Sequence, residues 1–302
     1  MMNMQERRAA TMAVYKGIDI SRWNGAVDMN KVKAAGISFV LIQSSYGNVA
    51  AFSNQKDPRF EVNVKNARAA GLSFGAYHYC YATNSAAAAR EAEGFVALLN
   101  KVRPIPYFVA LDIEEAAQAA LPAAQKSAIV EAFINVVEKA GFFCALYSYE
   151  GFLSSIPYKT RSKYSVWCAN TSETPIITHD VHQYSFKGRV NGCNGDVDMN
   201  KTSVDFTARI KNAGLNGYSK PVRILDTDGY KRGDKGVGVY AYKQLIKAAC
   251  TKKGISVTLA DDGGFGGGTE NAVNSLLATL GYKQNGIAGE KLAKQLAKII
   301  SG

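Results

Sequence analysis

The sequence predicts an α/β protein in which a closed barrel of eight strands is followed by a small all-α domain of three helices. Over the first five units, strand-like apolar segments alternate with helix-like segments, as in a parallel sheet with helical crossovers. Eight strand candidates fall within about two hundred residues, which favours a closed barrel over an open sheet. Beyond residue 221 the pattern is one of helical segments separated by glycine-rich turns.

Each predicted element has recognisable ends. Asp28 and Pro122 stand where helices begin, and Gly36, Gly71 and Gly141 stand where helices end. No convincing helix separates the last three strands, so loops are expected to join them. The predicted strands are 16–20, 38–44, 74–79, the apolar part of 107–115, 143–148, 165–169, 181–185 and 196–200, and the first helices are 29–35, 60–70, 85–99 and 122–140.

Composition limits the possible classes of protein. The chain has 302 residues, 47% of them hydrophobic, which suffices for one large or two unequal domains. No apolar run could cross a bilayer, so membrane insertion is not expected. The net charge of +11 favours an anionic partner, namely nucleic acid, a membrane surface or an acidic wall polymer. No basic helix or aromatic-interleaved motif supports nucleic-acid binding.

The amino terminus and the cysteines bear on the compartment. Residues 1–14 are predicted to be a disordered extension, because Met1–Thr11 is polar and lacks the apolar core of a secretory signal. The five cysteines have no CxxC spacing, and most lie in apolar segments, so buried free thiols are expected. The three histidines are too few and too poorly spaced for a metal site, and neither metal nor cofactor is expected.

The segment Tyr107-Phe-Val-Ala-Leu-Asp-Ile-Glu-Glu115 carries the strongest functional signal. Its apolar run ends in acids at the carboxyl end of a strand, where α/β proteins bind ligands. Because side chains alternate along a strand, Asp112 and Glu114 should point to one side and Ile113 to the other. Such a pair suits a glycosidase, which needs one acid to protonate the leaving oxygen and another to stabilise positive charge or position a nucleophile. The alternative is that both acids only cap the next helix.

Other acids and aromatic residues fall near the ends of the other predicted strands. In a barrel these ends converge on one mouth, so the side chains are expected to surround a common groove. Each also has a structural explanation, since Trp167 fits a core position, Asp198 a cap and His78 a buried structural histidine. The set comprises Asp19, Tyr77, His78, Tyr79, Asp112, Glu114, Tyr147, Trp167, Gln183 and Asp198.

Residues from about 16 to 210 resemble the family 25 glycoside hydrolases, the lysozymes with N-acetylmuramidase activity. The resemblance implies a modified TIM-like (β/α)5(β)3 barrel over 15–212, and cleavage of the β-1,4 bond between N-acetylmuramic acid and N-acetylglucosamine in peptidoglycan. The order and spacing of the short matching segments make the resemblance specific. These segments are 17–25 (GIDISRWNG), 75–79 (GAYHY), 111–114 (LDIE), 146–148 (LYS), 182–185 (HQYS) and 195–200 (GDVDMN).

The resemblance also implies a role for each residue of the set. Glu114 matches the general acid, whose pKa would be raised by apolar walls and nearby anions. Asp112 is expected to stay ionised and to orient the substrate's acetamido group or a water, and Asp19 and Asp198 to be supporting acids. The other members of the set, His78 included, are expected to contact the substrate, and Glu115 to begin a helix. Retaining, inverting and substrate-assisted routes all remain compatible with the spacing of the acids.

The tail is predicted to be a second domain. Residues 213–221 are small, polar and turn-forming, and are predicted to be a linker. Residues 222–302 are predicted to form helices near Val237–Cys250, Glu270–Leu280 and Glu290–Ile300. This tail is similar to the three-helix peptidoglycan-binding domain of bacterial and phage wall hydrolases, which implies that it tethers the enzyme to the wall. The matching segments are 233–234, 244–245, 262–266, 269, 272–273, 281–282 and 285–289.

Taken together, these features favour a phage endolysin that is held in the host cytoplasm and released by another protein to act on the cell wall outside. A bacterial autolysin is one alternative. A non-catalytic wall-binding protein that keeps the lysozyme fold is another, although the four intact acids argue against it. A barrel glycosidase acting on chitin-like polymers is the third, and the wall-binding tail argues against that one.

Overall fold

The computed structural model describes residues 13–302, which divide into two compact units at Lys220 and Pro221. The predicted disordered extension at 1–14 lies outside the described residues except for Ala13 and Val14, which precede the first strand without regular structure. No helix within residues 13–302 combines the length and the apolar character needed to span a membrane.

The first unit is the predicted barrel, and its eight strands close into one sheet in sequence order. Neighbouring strands from the first to the seventh are parallel, whereas the eighth is antiparallel to both the seventh and the first. The strands are β1 (Tyr15–Ile20), β2 (Phe39–Tyr46), β3 (Ser73–Tyr79), β4 (Val109–Asp112), β5 (Cys144–Tyr149), β6 (Ser165–Ala169), β7 (Val181–Gly188) and β8 (Val197–Thr202).

The helices follow the first five strands, which confirms five strand–helix units before the final three strands. Asp28 caps the first helix by accepting hydrogen bonds from two backbone amides, and Pro122 stands at the N-cap of the fifth. The helices of this unit are α1 (Met29–Ala34), α2 (Phe60–Ala69), α3 (Ser85–Asn100), α4 (Ala116–Ala119), α5 (Ala123–Lys139), α6 (Glu150–Ser155), α7 (Tyr158–Arg161) and α8 (Phe206–Ala213). Three of these, α6, α7 and α8, were not predicted.

Strand alternation divides the barrel unit into two apolar cores. On β2, Val40 and Ile42 face the core between sheet and helices, while Phe39 and Leu41 face the barrel interior. At the amino ends of the parallel strands, the interior is closed by stacked aromatic rings, among them Phe39 on Tyr107 with centroids 4.4 Å apart. The unpredicted helix α8 contributes to this closure through Phe206.

The segment 213–220 is not the linker that its composition suggested, because it is folded against the barrel. Asn216 is fully buried, in a left-handed conformation with φ 57°. Its side-chain oxygen accepts from the Phe143 amide at 2.7 Å, and its side-chain nitrogen donates to the Tyr107 carbonyl at 2.6 Å. The turn-forming residues therefore build an anchored turn, and the barrel unit extends to Lys220.

The second unit contains the three predicted helices, which are α9 (Val237–Lys252), α10 (Gly267–Thr279) and α11 (Glu290–Ser301). They enclose a core of their own that includes Ile246, Leu276 and Leu292. Asp226 caps the last helix from a distance, because its carboxylate accepts from the backbone amides of Lys291 and Leu292.

Candidate active site

A cleft with a volume of about 210 Å³ lies at the carboxyl ends of the parallel strands. Eight of the ten residues predicted for the site line it, and His78 and Gln183 do not. The side chains come from seven of the eight strands and from the segments that follow two of them. The lining residues are Asp19, Ser21, Trp23, Gln43, Tyr77, Tyr79, Asp112, Glu114, Tyr147, Trp167 and Asp198.

Asp198 reaches the cleft by a different route from the one expected. It is the second residue of β8 and so lies near the amino end of its strand, not the carboxyl end. Because β8 runs antiparallel to its neighbours, its amino end belongs to the same mouth as the carboxyl ends of the others. Asp198 stands directly opposite Asp19 in the register of the two strands.

His78 does not contact the cleft, which corrects the prediction that it binds substrate. Its ring is completely buried between the sheet and the helices, 5.6 Å from the Phe95 ring and 5.4 Å from the Phe133 ring. One ring nitrogen lies 3.1 Å from Glu91 and the other 2.9 Å from the Ser45 hydroxyl. Burial lowers its pKa, although the hydrogen bond with Glu91 opposes that change.

Gln183 lies behind the cleft wall and positions Asp19. Its amide nitrogen donates to Asp19 at 2.8 Å, and its amide oxygen accepts from the Tyr147 hydroxyl at 2.7 Å. On the other side of the same carboxylate oxygen, Asn200 donates to Asp19 at 2.7 Å and accepts from the Trp167 indole at 2.7 Å. Since indole N–H can only donate, the orientation of the Asn200 amide is fixed. The two amides therefore hold Asp19 in place.

These hydrogen bonds decide which acid of the facing pair carries the charge. Burial raises the pKa of Asp19 to about 6, while the hydrogen bonds from Asn200, Gln183 and Asp198 oppose that rise. Asp198 lacks comparable donors, and burial together with the charge of Asp19 raises its pKa to about 8. Near neutral pH, Asp19 is therefore the carboxylate and Asp198 is the protonated partner.

Glu114 and Asp112 carry raised pKa values for the same physical reasons. Burial raises the pKa of Glu114 to about 7, with smaller contributions from the charges of Asp19 and Glu115. Burial, then Glu114 and Asp19, hold the pKa of Asp112 well above its usual range. The direction of this shift runs against the expectation that Asp112 stays ionised, and that expectation stays a prediction. Its buried Oδ1 also has no hydrogen-bond partner among the described residues.

The aromatic side chains form the walls around these acids. The Trp167 ring lies 4.3 Å from the Tyr147 ring and 6.1 Å from the Tyr77 ring, edge-on to the latter. Trp23 stands at the rim with 82% of its surface exposed. A cleft with flat aromatic faces and several carboxyl groups can hold a sugar chain and supply both a proton and an anion to it.

Four residues of the site were missed by the sequence reasoning. Ser21 and Trp23 lie within the segment 17–25 that carried the resemblance, immediately after β1. Gln43 continues the inward-facing alternation of Phe39 and Leu41 on β2, and Asn200 lies two positions after Asp198, where alternation places it on the same side. The period-two rule would have found the last two.

Within the described part of the chain, no group of three or more His, Cys, Asp or Glu side chains is arranged to hold a metal ion. All five cysteines lie in that part and are free thiols, and four of them are buried.

The comparison with protein families matches residues 18–193 to the glycosyl hydrolases family 25. The match covers more than half of the chain and includes all but one of the four acids. This chain belongs to glycosyl hydrolases family 25. It is therefore a glycoside hydrolase of the lysozyme type. The match ends before the second unit begins.

Two curated relatives of this family 25 chain are lysozymes. Lysozyme M1 of Streptomyces globisporus is 30% identical over 210 residues, covering 62% of this chain and 67% of that protein. The autolytic lysozyme of Clostridium acetobutylicum is 31% identical over 191 residues, covering 62% of this chain and 56% of that protein. The matched region thus spans between about half and two thirds of these relatives.

Two solved structures share the fold of this family 25 barrel. The bacterial lysozyme of Streptomyces coelicolor is 26% identical, with a TM-score of 0.55, and the alignment covers 66% of this chain and 98% of that one. The catalytic domain of endolysin ply40 from Listeria monocytogenes bacteriophage P40 is 28% identical, with a TM-score of 0.54, covering 66% and 97%. Both alignments cover almost the whole of the compared chain.

Proposed function

We propose that this family 25 enzyme hydrolyses the β-1,4 bond between N-acetylmuramic acid and N-acetylglucosamine in bacterial peptidoglycan. The observation that carries the proposal is Glu114, which lines an aromatic cleft and has its pKa raised to about 7. A carboxyl group with that pKa is still partly protonated near neutral pH, so it can donate a proton to a leaving oxygen. The lysozyme and endolysin names of the relatives support the same substrate.

Each acid of the cleft has a role in the proposed reaction. Glu114 is the general acid. Asp19 is the charged member of the group and lies where it can stabilise the positive charge that develops on the sugar ring. Asp198 shares a proton with Asp19. Asp112, whose pKa is held well above its usual range, offers to the acetamido group of the substrate or to a water its Oδ1, which has no partner among the described residues.

The decisive experiment is digestion of purified peptidoglycan with the intact chain and with Glu114→Gln. We expect new muramic acid reducing ends from the intact chain, identified by mass spectrometry, and a loss of turnover of about 10²–10⁴-fold in the variant, as for a general acid. Glu93→Gln is the matched control, because Glu93 is an exposed residue of α3 and does not line the cleft. Its turnover should stay within about threefold of the intact chain.

Other outcomes would favour the rival functions. Binding of peptidoglycan without cleavage of several wall types would favour a non-catalytic wall-binding protein. Faster cleavage of N-acetylglucosamine oligomers than of peptidoglycan would favour a glycosidase of chitin-like polymers. Near-normal turnover in Glu114→Gln would remove Glu114 from the role of general acid.

We also propose that residues 221–302 form a wall-binding module. In support, this unit has its own core and carries 12 Lys and Arg against 7 Asp and Glu, a net charge of +5 that suits an anionic polymer. The truncation that tests the proposal must end at Lys220, because Asn216 belongs to the barrel. We expect weaker pull-down with whole walls and unchanged cleavage of short soluble fragments. Equal losses on both substrates would contradict a separate module.

We propose finally that the enzyme is an endolysin, stored in a reducing cytoplasm before it reaches the wall. The five free cysteines support storage under reducing conditions, since exposure to an oxidising compartment favours disulfides. Fractionation of producing cells should find the enzyme in the soluble cytoplasmic fraction, with lysis only after the inner membrane is permeabilised. Recovery outside intact cells would count against this storage.

A further inference from the structure

Arg22 lies at the rim of the cleft, between two residues that line it. It begins the short 3₁₀ helix Arg22–Asn24, which follows β1 directly and so lies three residues after Asp19. The Ser21 hydroxyl accepts from the Trp23 amide, and the Asn24 side chain accepts from the Ser21 amide at 2.9 Å. These hydrogen bonds fix the backbone of Arg22 relative to the catalytic acids.

The backbone and the side chain of Arg22 are held by different groups. The Arg22 amide donates to Asp57 at 2.8 Å, and the same buried carboxylate accepts from the Arg59 amide at 2.7 Å. The guanidinium lies over two rings instead, with its carbon 4.9 Å from the Trp23 centroid and 5.0 Å from the Tyr46 centroid. Its Nη1 donates to the Tyr46 hydroxyl at 3.3 Å. Two aromatic contacts thus restrict the side chain without neutralising it.

The guanidinium has no acidic partner in the described part of the chain. There, no carboxylate oxygen lies within 4.0 Å of it. A guanidinium has five N–H donors in a planar fork that matches a carboxylate, and the hydrogen bonds described above use one of them. A guanidinium with unused N–H donors beside a cleft can bind a carboxylate of a ligand.

The surface that surrounds Arg22 leads back into the cleft. The Tyr46 ring lies 5.9 Å from the Tyr81 ring, which in turn lies 5.5 Å from the Tyr79 ring. Tyr79 and Trp23 both line the cleft. A glycan strand that follows these aromatic faces out of the cleft therefore passes Arg22.

We propose that Arg22 binds a carboxylate of a muramic acid unit beside the cleaved bond, and so makes the enzyme prefer anionic over neutral glycans. This inference rests on the proposed function, since it assumes a muramic acid polymer in the cleft. Two sources present the same chemistry. One is the lactyl carboxylate of a muramic acid without a peptide, and the other is a carboxylate of the attached peptide stem.

The test compares Arg22→Gln and Arg22→Lys with the intact chain on two soluble substrates. One substrate is peptidoglycan fragments that carry stems, and the other is glycan strands from which an amidase has removed them. Each is used untreated and after its carboxylates have been amidated with carbodiimide and ammonia. We expect Arg22→Gln to lose about threefold to tenfold in kcat/KM, mainly through KM, on untreated substrate only. Arg22→Lys should keep part of that difference, because it retains the charge but not the fork.

Arg209→Gln is the matched control, because Arg209 is exposed and, like Arg22, lies over an aromatic ring, with its guanidinium carbon 5.0 Å from the Phe143 centroid. It belongs to α8, at the opposite end of the barrel from the cleft. We expect it to match the intact chain on every substrate.

This design distinguishes the two sources of the carboxylate. A loss on stem-bearing fragments alone assigns the stem carboxylate. A loss on stripped strands alone assigns the lactyl carboxylate, which exists only where the stem has been removed, and a loss on both substrates assigns both carboxylates. Equal losses on amidated and untreated substrates would overturn the proposal and leave Arg22 as a support for Tyr46. Binding of the same four substrates to Glu114→Gln, with and without Arg22→Gln, decides the question separately from turnover. If the intact chain cleaves nothing, the proposed function fails, and the binding measurements still test Arg22.

Discussion

The two ends of the barrel are built from different kinds of side chain. At the amino ends of the parallel strands, aromatic rings pack on one another, with Phe108 and Phe206 centroids 4.8 Å apart, and the side-chain oxygen and nitrogen of the buried Asn216 each make a hydrogen bond. At the carboxyl ends, acids with raised pKa values crowd together, and Asp112 Oδ1 has no partner among the described residues. The closed end is thus built mainly from aromatic rings, with one buried hydroxyl, that of Tyr107, lacking a partner among the described residues, whereas the open end is built around acids.

This difference separates stability from function within one sheet. A carboxyl whose pKa is raised in the folded state stabilises the fold below its unfolded pKa, and that contribution is lost as pH rises through the folded pKa. Near neutral pH the acids of the open end therefore disfavour folding, and the closed end must offset them. An active site that costs stability is expected where charge is kept ready for a reaction.

The largest effect should come from the closed end. Phe206→Ala removes a fully buried ring from the aromatic closure, and we expect the free energy of unfolding to fall by about 3–5 kcal/mol in denaturant titration. At a temperature where the variant is folded, kcat/KM should stay within about twofold of the intact chain. Phe186→Ala is the matched control, since Phe186 is 49% exposed, and its effect should be below about 0.5 kcal/mol. A folded Phe206→Ala with low activity would break the separation between the two ends.

A smaller effect of opposite sign should come from the open end. Asp112→Asn removes an acid that burial and its neighbours hold well above its usual pKa. We expect a gain of about 0.5–2 kcal/mol in unfolding free energy at pH 8, a smaller gain at pH 4, and a large loss of activity. The sign follows because the raised pKa penalises the charged form of Asp112 in the folded state, and this penalty grows as pH rises from 4 to 8.

The control for this variant is Asp205→Asn at the N-cap of α8, where Asp205 accepts a hydrogen bond from the Ala208 amide. Asparagine caps helices about as well as aspartate, so little change is expected. If Asp112→Asn were less stable than the intact chain at pH 8, the open end would not be a source of strain.

The same rule that located the acids shows why His78 was misplaced. Alternation along the fourth strand correctly put Asp112 and Glu114 at the cleft, with Ile113 in the core between sheet and helices. Applied to β3, it puts Tyr77 and Tyr79 at the cleft and His78 on the other face, as the structure has it. The period-two rule therefore predicts the correct side of the sheet for His78. The site prediction was wrong because it grouped His78 with its two neighbouring tyrosines.

Other features depend on the path of the chain and lie beyond such local rules. Asp198 reaches the mouth only because β8 reverses direction, which no local pattern specifies. Glycines and Asn216 predict turns after α8 but not that the turn is packed, and the linker prediction failed for that reason. The raised pKa of Asp112 depends on burial and on the charge of Asp19, which comes from a different strand, in addition to its sequence neighbours Glu114 and Glu115. Eight strands and their order, by contrast, follow from local patterns.

The smallest expected effect is a shift in the pH dependence of kcat/KM. It also gives the most direct comparison of the two ends. Glu114 must keep its proton, so activity should fall as pH rises above about 7. Asp19 must be ionised, so activity should also fall as pH drops below about 6. Phe206→Ala should leave both limbs in place. Asn200→Ala should move the acidic limb to higher pH, because Asp19 loses a donor that lowers its pKa. If Phe206→Ala moved the limbs as far as Asn200→Ala, the charges at the mouth would depend on packing throughout the barrel, not on the two amides beside Asp19.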